Sequence, residues 1–511
     1  MATNTGLDLL RGRPLPAIGT TEAKLQQRKL DALKRGIHRI PETSEHPYGV
    51  HLVGVGAAGA CVIQSVLRDA PADLLAPGGS RLTALAVDIS DEDLASVRSL
   101  GEKLPADRAQ VETVALDIPS MDELQSSLAR YVDFLKLEYP LYHPNSDSTA
   151  WLSPETPICD ADGSTPRAVA KAAYGRAYYD GDRPMFKALK RFARSVEATG
   201  GDSIVCIIFG LGGGTGSGIA LDLARHLSSG QFGRRVLVTG VGIAPHPHEG
   251  SAAQGARLHT VFSELDVLCD DTKNKGVTVS CGDLFKNPFT AGFVVVPPPA
   301  SLAVEQAREA VDKRLASLFL DRRGANLWEA LRLLNWVAAP STQHSAARTP
   351  WGSRWIHMFG FGADGAGPQT NDLRAALGLR PEYQPEFLEL RTAGTTNDAA
   401  AQAWANALDT AFSPEVPTHR VNGGPAGTVQ YLLPRIALKD LAVFLGARAA
   451  YDAEPLARRQ AQHALLLEQG LILCEPSTTI EGMAGANFGG GRQWIAVPYD
   501  QLRGEDMEGG N

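Results

Sequence analysis

From residue 48 onward, apolar positions fall into short unbroken runs that alternate with longer stretches carrying one apolar face. The runs predict buried strands at residues 51–55, 82–88, 111–115, 203–209, 235–241 and 293–297. The intervening stretches predict helices through Val66 and at 121–137, 166–198, 219–227 and 251–268. Residues 302–319 carry Val304, Ala307, Val311, Leu315 and Leu318 at spacings of three and four, which predicts a long amphipathic helix able to join two domains. Strands alternating with helices imply a Rossmann-like, mostly parallel α/β sheet, because only crossover helices connect parallel neighbours over such lengths.

Beyond this unit the pattern changes. Strand signals at 355–361, 429–433 and 495–497 mix with helical ones at 373–377, 399–411, 438–449 and 456–469, predicting a second α+β domain. The expected organisation is an arm at 1–47, a Rossmann-like α/β domain at 48–320, a C-terminal α+β domain at 321–476 and a flexible tail at 477–511. A Pro-, Ser-, Asp- and Asn-rich segment at about 138–163 interrupts the first domain as an insertion.

Composition removes several alternatives. At 511 residues, with 44% hydrophobic and 21% charged positions, the chain is long enough for two or three packed domains. A net charge of −8 argues against a nucleic-acid partner, which requires clustered excess Lys and Arg. The longest uncharged stretch, 203–221, is broken by glycines and reads as strand, loop and helix rather than a membrane span. The start of the chain lacks the basic and apolar regions of a signal peptide, so a cytoplasmic location is expected. Six scattered cysteines without C-x-x-C spacing read as small buried hydrophobes, with neither zinc site nor disulfide framework.

Two glycine loops carry the chemistry. The first is Gly54-Val-Gly56-Ala57-Ala58-Gly59, a G-x-G-x-x-G sequence, with Asp88 closing the next strand where a ribose-binding acid would sit. The second, Gly210-Leu-Gly212-Gly213-Gly214-Thr215-Gly216-Ser-Gly218, holds six glycines between a buried strand and a helix. Small residues let backbone approach an anion, and helix N-terminal N–H groups point at it. The first loop alone would suggest a dinucleotide oxidoreductase; one nucleotide gripped twice accounts for both. The absence of G-x-x-x-x-G-K-[ST] disfavours a Walker-type NTPase, leaving backbone amides, hydroxyls and Mg²⁺ to neutralise phosphates.

The second loop resembles the GGGTG[ST]G signature of the tubulin/FtsZ superfamily, and the first resembles the first glycine loop of FtsZ. Val87-Asp-Ile-Ser-Asp-Glu-Asp-Leu94 is similar in spacing to the family's VNTDAQAL. Gly163-Ser-Thr165-Pro166-Arg-Ala-Val-Ala-Lys-Ala-Ala173 resembles GANPEIGRKAA, which faces the terminal phosphate. Pro245-His-Pro-His-Glu249-Gly250 resembles PFNFEG, giving Glu249 a ribose-binding role. The 302–319 helix resembles the central helix that touches the base, with Arg308 and Glu309 at the reading positions and Asp312 as an alternative one turn on. A carboxylate there accepts from guanine N1–H and N2–H₂ but meets an acceptor at adenine N1, so it would favour guanine.

The resemblance implies a divergent prokaryotic tubulin-like protein of the tubulin/FtsZ fold, binding GTP/GDP with Mg²⁺ and stacking head to tail into filaments, with hydrolysis completed in trans. It departs where FtsZ carries N-x-D-x-x-D. In Gly324-Ala-Asn326-Leu-Trp328-Glu329-Ala-Leu331, Asn326 fits but Trp328 and Leu331 take the acidic positions, leaving Glu329 as the acid that would orient water. The departure motivates a rival reading, a non-polymerising or weakly hydrolysing nucleotide sensor that holds an unknown protein partner through the arm or the insertion. The H-x-H pair His246 and His248, with His259, reads as loop residues beside the nucleotide rather than as zinc ligands. The basic stretch of the arm reads first as a solvated helix face.

Overall fold

A computed structural model describes residues 49–138 except 71 and 73–80, positions between 152 and 160, residues 163–246 except 200–202, positions between 249 and 303, and residues 304–320; beyond these it describes six strands. The strands are β1 (Gly49–Val55), β2 (Leu82–Asp88), β3 (Ala109–Ala115), β4 (Ser203–Gly210), β5 (Leu237–Ile243), β6 (Gly292–Val296), β7 (Ile356–Phe361), β8 (Phe387–Arg391), β9 (Thr418–Asn422), β10 (Val429–Pro434), β11 (Leu471–Cys474) and β12 (Ile495–Pro498). The helices are α1 (Gly56–Asp69), α2 (Asp91–Gly101), α3 (Met121–Glu138), α4 (Arg167–Tyr179), α5 (Pro184–Ala198), α6 (Gly214–Arg225) and α7 (Val304–Leu320).

Ten strands form one sheet in the order β3-β2-β1-β4-β5-β6-β7-β10-β9-β8. Pairing is parallel from β3 through β7, as the alternation predicts. β10 runs antiparallel to both its neighbours, and β11 pairs separately with β12. The fold is α/β and Rossmann-like, with strand order reversing between β1 and β4, the place where open parallel sheets bind ligands.

Alternation within each strand builds two apolar layers. Val53, Val55, Val205, Ile207, Phe209, Phe293 and Val295 join one core with the buried faces of α4, α5 and α6. Val50, Leu52, Cys206, Ile208, Val294 and Val296 join the other with α1 and α7. The 302–319 helix is found as α7, its Ala307, Val311, Leu315 and Leu318 buried.

Three local readings change. The helix expected across 166–198 is two, because Asp180-Gly-Asp-Arg183 turns the chain with Gly181 and Arg183 in the left-handed region before Pro184 restarts the helix. α2 has only two buried apolar residues, Leu94 and Val97, so periodicity missed it; Asp91, Glu92 and Asp93 in its first turn favour it through the helix dipole. α6 begins at Gly214 rather than 219, with glycines inside its first turn. Of the cysteines, Cys206 is buried as expected, whereas Cys61 and Cys159 are exposed.

Candidate functional site

β1 and β4 are adjacent, so the loops that follow them emerge side by side at the carboxyl edge of the sheet. Gly56 has φ +71°, a conformation that side chains rarely adopt. A Cβ there would lie 3.0 Å from the Gly216 nitrogen, so the loops touch. The third segment closes on them: a methyl group at Gly214 would overlap the Thr165 carbonyl oxygen. Gly54, Gly56, Ala57, Ala58, Gly163, Thr165, Pro166, Gly212, Gly213, Gly214, Thr215 and Gly216, distant along the chain, therefore belong to three segments packed against one another.

Three helices start in this patch. α1, α4 and α6 follow Val55, Pro166 and Gly213, and no side chain among the described residues caps any of the three starts. None has an acidic residue in its first turn. Uncapped N–H groups and three positive dipole ends on one patch favour negative charge there.

Beneath it lies a buried charge network. Arg167 ion-pairs with Glu264 and donates from Nε to the Ser217 hydroxyl at 3.0 Å and from Nη2 to the Ser217 carbonyl at 3.0 Å. Asp222 on α6 binds both Lys171 and Arg225. His226 stacks on Tyr178, its Nδ1 2.8 Å from the Tyr174 hydroxyl and its Nε2 2.6 Å from that of Tyr179. Burial holds this imidazole well below its ordinary pKa, hence neutral. Lys171, in the stretch resembling a phosphate-facing motif, is instead buried and spent on Asp222.

Asp88 closes β2 at the same edge and is 4% exposed. Its Oδ1 accepts the Ile89 N–H at 2.7 Å, and its Oδ2 has no hydrogen-bond partner among the described residues. Burial raises its pKa from 3.8 to about 6. An acid raised in the fold destabilises it once ionised, so the cost grows as pH rises from about 4 through about 6. Asp88→Asn is expected to stabilise the protein at pH 7.5, by at most about 3 kcal/mol at 1.36 kcal/mol per pKa unit, and to change little at pH 4. Urea unfolding at both pH values checks this; an equal effect at both would refute it.

Glu249 and Arg308 meet. The Glu249 carboxylate accepts the His246 N–H at 3.3 Å and ion-pairs with Arg308, which also donates to Glu305 at 3.0 Å. Glu309 lies on the exposed face of α7, 2.6 Å from Lys313. Asp312, one turn on, is half-buried, and burial raises its pKa to about 7. Asn326 and Glu329 lie outside the described residues, as do His248, His259, the N-terminal arm and much of the insertion. Among the described residues no group of three His, Cys, Asp or Glu could hold a metal ion, and no helix is long and apolar enough to cross a membrane.

One residue of this region has no signal in the sequence reading. Arg257 is buried and donates from Nε to the Gly212 carbonyl at 3.0 Å. Neither periodicity nor motif marks it, since its partners lie 45 and 97 positions away.

Many solved structures show similarity, among them three of tubulin-like proteins. CetZ from Methanosaeta thermophila is 13% identical over 82% of this chain and 95% of that one, with a TM-score of 0.40. TubZ of Clostridium botulinum phage c-st is 11% identical over 78% of this chain and 96% of its own, with a TM-score of 0.35. A form of that TubZ truncated at its C-terminal tail is 11% identical over 79% and 96%, with a TM-score of 0.35. No family model and no curated protein matches the chain.

Proposed function

We propose that this chain is a tubulin/FtsZ-like protein that binds GTP or GDP at the β1–β4 edge and assembles head to tail through that site, completing hydrolysis between subunits. The observation that carries the reading is the convergence of three uncapped helix starts, two from glycine loops, on one patch. Gly54, Gly56, Ala57 and Ala58 would hold one part of the phosphate chain, and Gly212, Gly213, Gly214, Thr215 and Gly216 the other. Gly163, Thr165 and Pro166 would close over its end. Asp88, with a buried oxygen open to a donor, and Glu249 would take ribose hydroxyls. Arg308 with Glu309 or Asp312 would face the base.

Thr215 would be the protein's contact to Mg²⁺, since this ion keeps most of its waters and takes few protein ligands. Bound there, it would neutralise charge building on the phosphoryl oxygens. The protein's part is to orient the phosphates on fixed amides and, from Asn326 and Glu329 of a neighbouring copy, to position the attacking water. A heterologous contact of this kind makes open polymers.

A second reading keeps an observation of its own. Gly54 lies in β1 and Gly56 and Gly59 follow it in a sheet ordered 3-2-1-4-5-6 over its first six strands, and Asp88 ends β2, the arrangement of dinucleotide enzymes. Binding of fluorescent GTP competed by GTP, ATP and NAD separates the two. Light scattering and phosphate release over a protein series then test assembly. Micromolar GTP binding with turnover that rises faster than protein concentration is expected. NAD competing with no GTP binding would sink the proposal, and tight GTP binding without assembly or turnover would favour the sensor.

A further inference from the structure

Arg257 joins two distant segments on one guanidinium. Besides the Gly212 carbonyl, its Nη1 donates to the Asp160 carboxylate at 2.9 Å and to the Ser164 hydroxyl at 2.8 Å. The turn it holds is closed by the Asp160 N–H on the Ser164 carbonyl at 2.7 Å and the Gly163 N–H on the Asp160 carbonyl at 2.9 Å. Thr165, next in sequence, is the residue whose carbonyl packs against Gly214.

Two consequences follow. In a planar trans peptide the C=O and N–H point opposite ways, so fixing the Gly212 carbonyl on Arg257 fixes the Gly213 N–H away from it. Gly213 precedes α6, so this N–H is among the donors of the helix start. Pairing Asp160 also cancels a carboxylate that would repel an anion at this edge.

We infer that Arg257 is a positioning residue for the phosphate end of the bound nucleotide, acting through the Gly212–Gly213 peptide, Asp160 and residues 163–166. The inference rests on the nucleotide reading above. Its planar fork serves separated acceptors at once, which a lysine cannot copy.

The test compares GTP, GDP and GMP in competition against fluorescent GTP, for wild type and for Arg257→Ala, Arg257→Lys and Asp160→Asn, with circular dichroism to confirm folding. Arg257→Ala is expected to weaken GTP by about 30-fold, GDP by about tenfold and GMP by less than about threefold, because lost donors count only where phosphates reach them. Arg257→Lys and Asp160→Asn should show the same grading at about fivefold for GTP, and they decide the matter if the alanine variant does not fold. Equal weakening of all three nucleotides, or none, would overturn the inference while leaving nucleotide binding intact. Wild type binding none of the three would overturn the nucleotide reading and this role with it.

Discussion

Gly214→Ala is expected to abolish nucleotide binding, a loss of more than about 100-fold, and to lower stability by about 1–3 kcal/mol. The added methyl would overlap the Thr165 carbonyl oxygen, which is backbone and has no rotamer to retreat into. The 163–166 segment must therefore move off α6, separating one helix start from the other two. Gly175→Ala, inside α4, is the matched control: its new methyl would meet nothing nearer than Leu128 Cδ2 at 3.9 Å. That change should stabilise by up to about 1 kcal/mol through helix propensity and leave affinity unchanged. Fluorescent GTP titration with urea unfolding measures both variants. Wild-type affinity in Gly214→Ala would refute the placement of the phosphate site.

Removing the Asp222 carboxylate should cost about 3–5 kcal/mol, the largest stability effect expected of a single side chain here. Lys171 and Arg225 would remain buried without the counter-charge they share, and losing it sets the size of the effect. Burial alone would raise the Asp222 pKa, but Arg225 and Lys171 together outweigh it and hold it at about 2. An acid depressed in the fold contributes stability in full above its unfolded pKa near 4, and that contribution fades as pH falls through about 2. The gap between wild type and Asp222→Asn should therefore be wide at pH 7 and narrow toward pH 2. Urea midpoints at several pH values show this; a gap independent of pH would contradict the ion-pair account.

The candidate site was legible in the sequence only in part. Both glycine loops were legible because each is a local word, a strand followed by small residues and a helix, and the Gly163 segment through its resemblance to a family motif. Glu249 and Arg308 were each read as nucleotide contacts, and the fold brings them to each other. Glu309 and Asp312 differ by three positions on one helix, and only packing against α1 makes one exposed and the other half-buried.

By itself the sequence determined the parallel α/β sheet, because strand burial and helix amphipathicity are written in periods of two and 3.6 residues that neighbouring positions carry. It marked the glycine-rich turns after β1 and β4, because glycine density is local too. The tertiary structure alone decided that α6 starts at Gly214: glycine is a poor helix former, and the crowding by Thr165 that demands it comes from 49 residues upstream. It alone decided that Lys171 meets Asp222 and that Arg257 reaches Gly212, Asp160 and Ser164. Charges that meet only when the sheet brings their segments together leave no periodic trace along the chain.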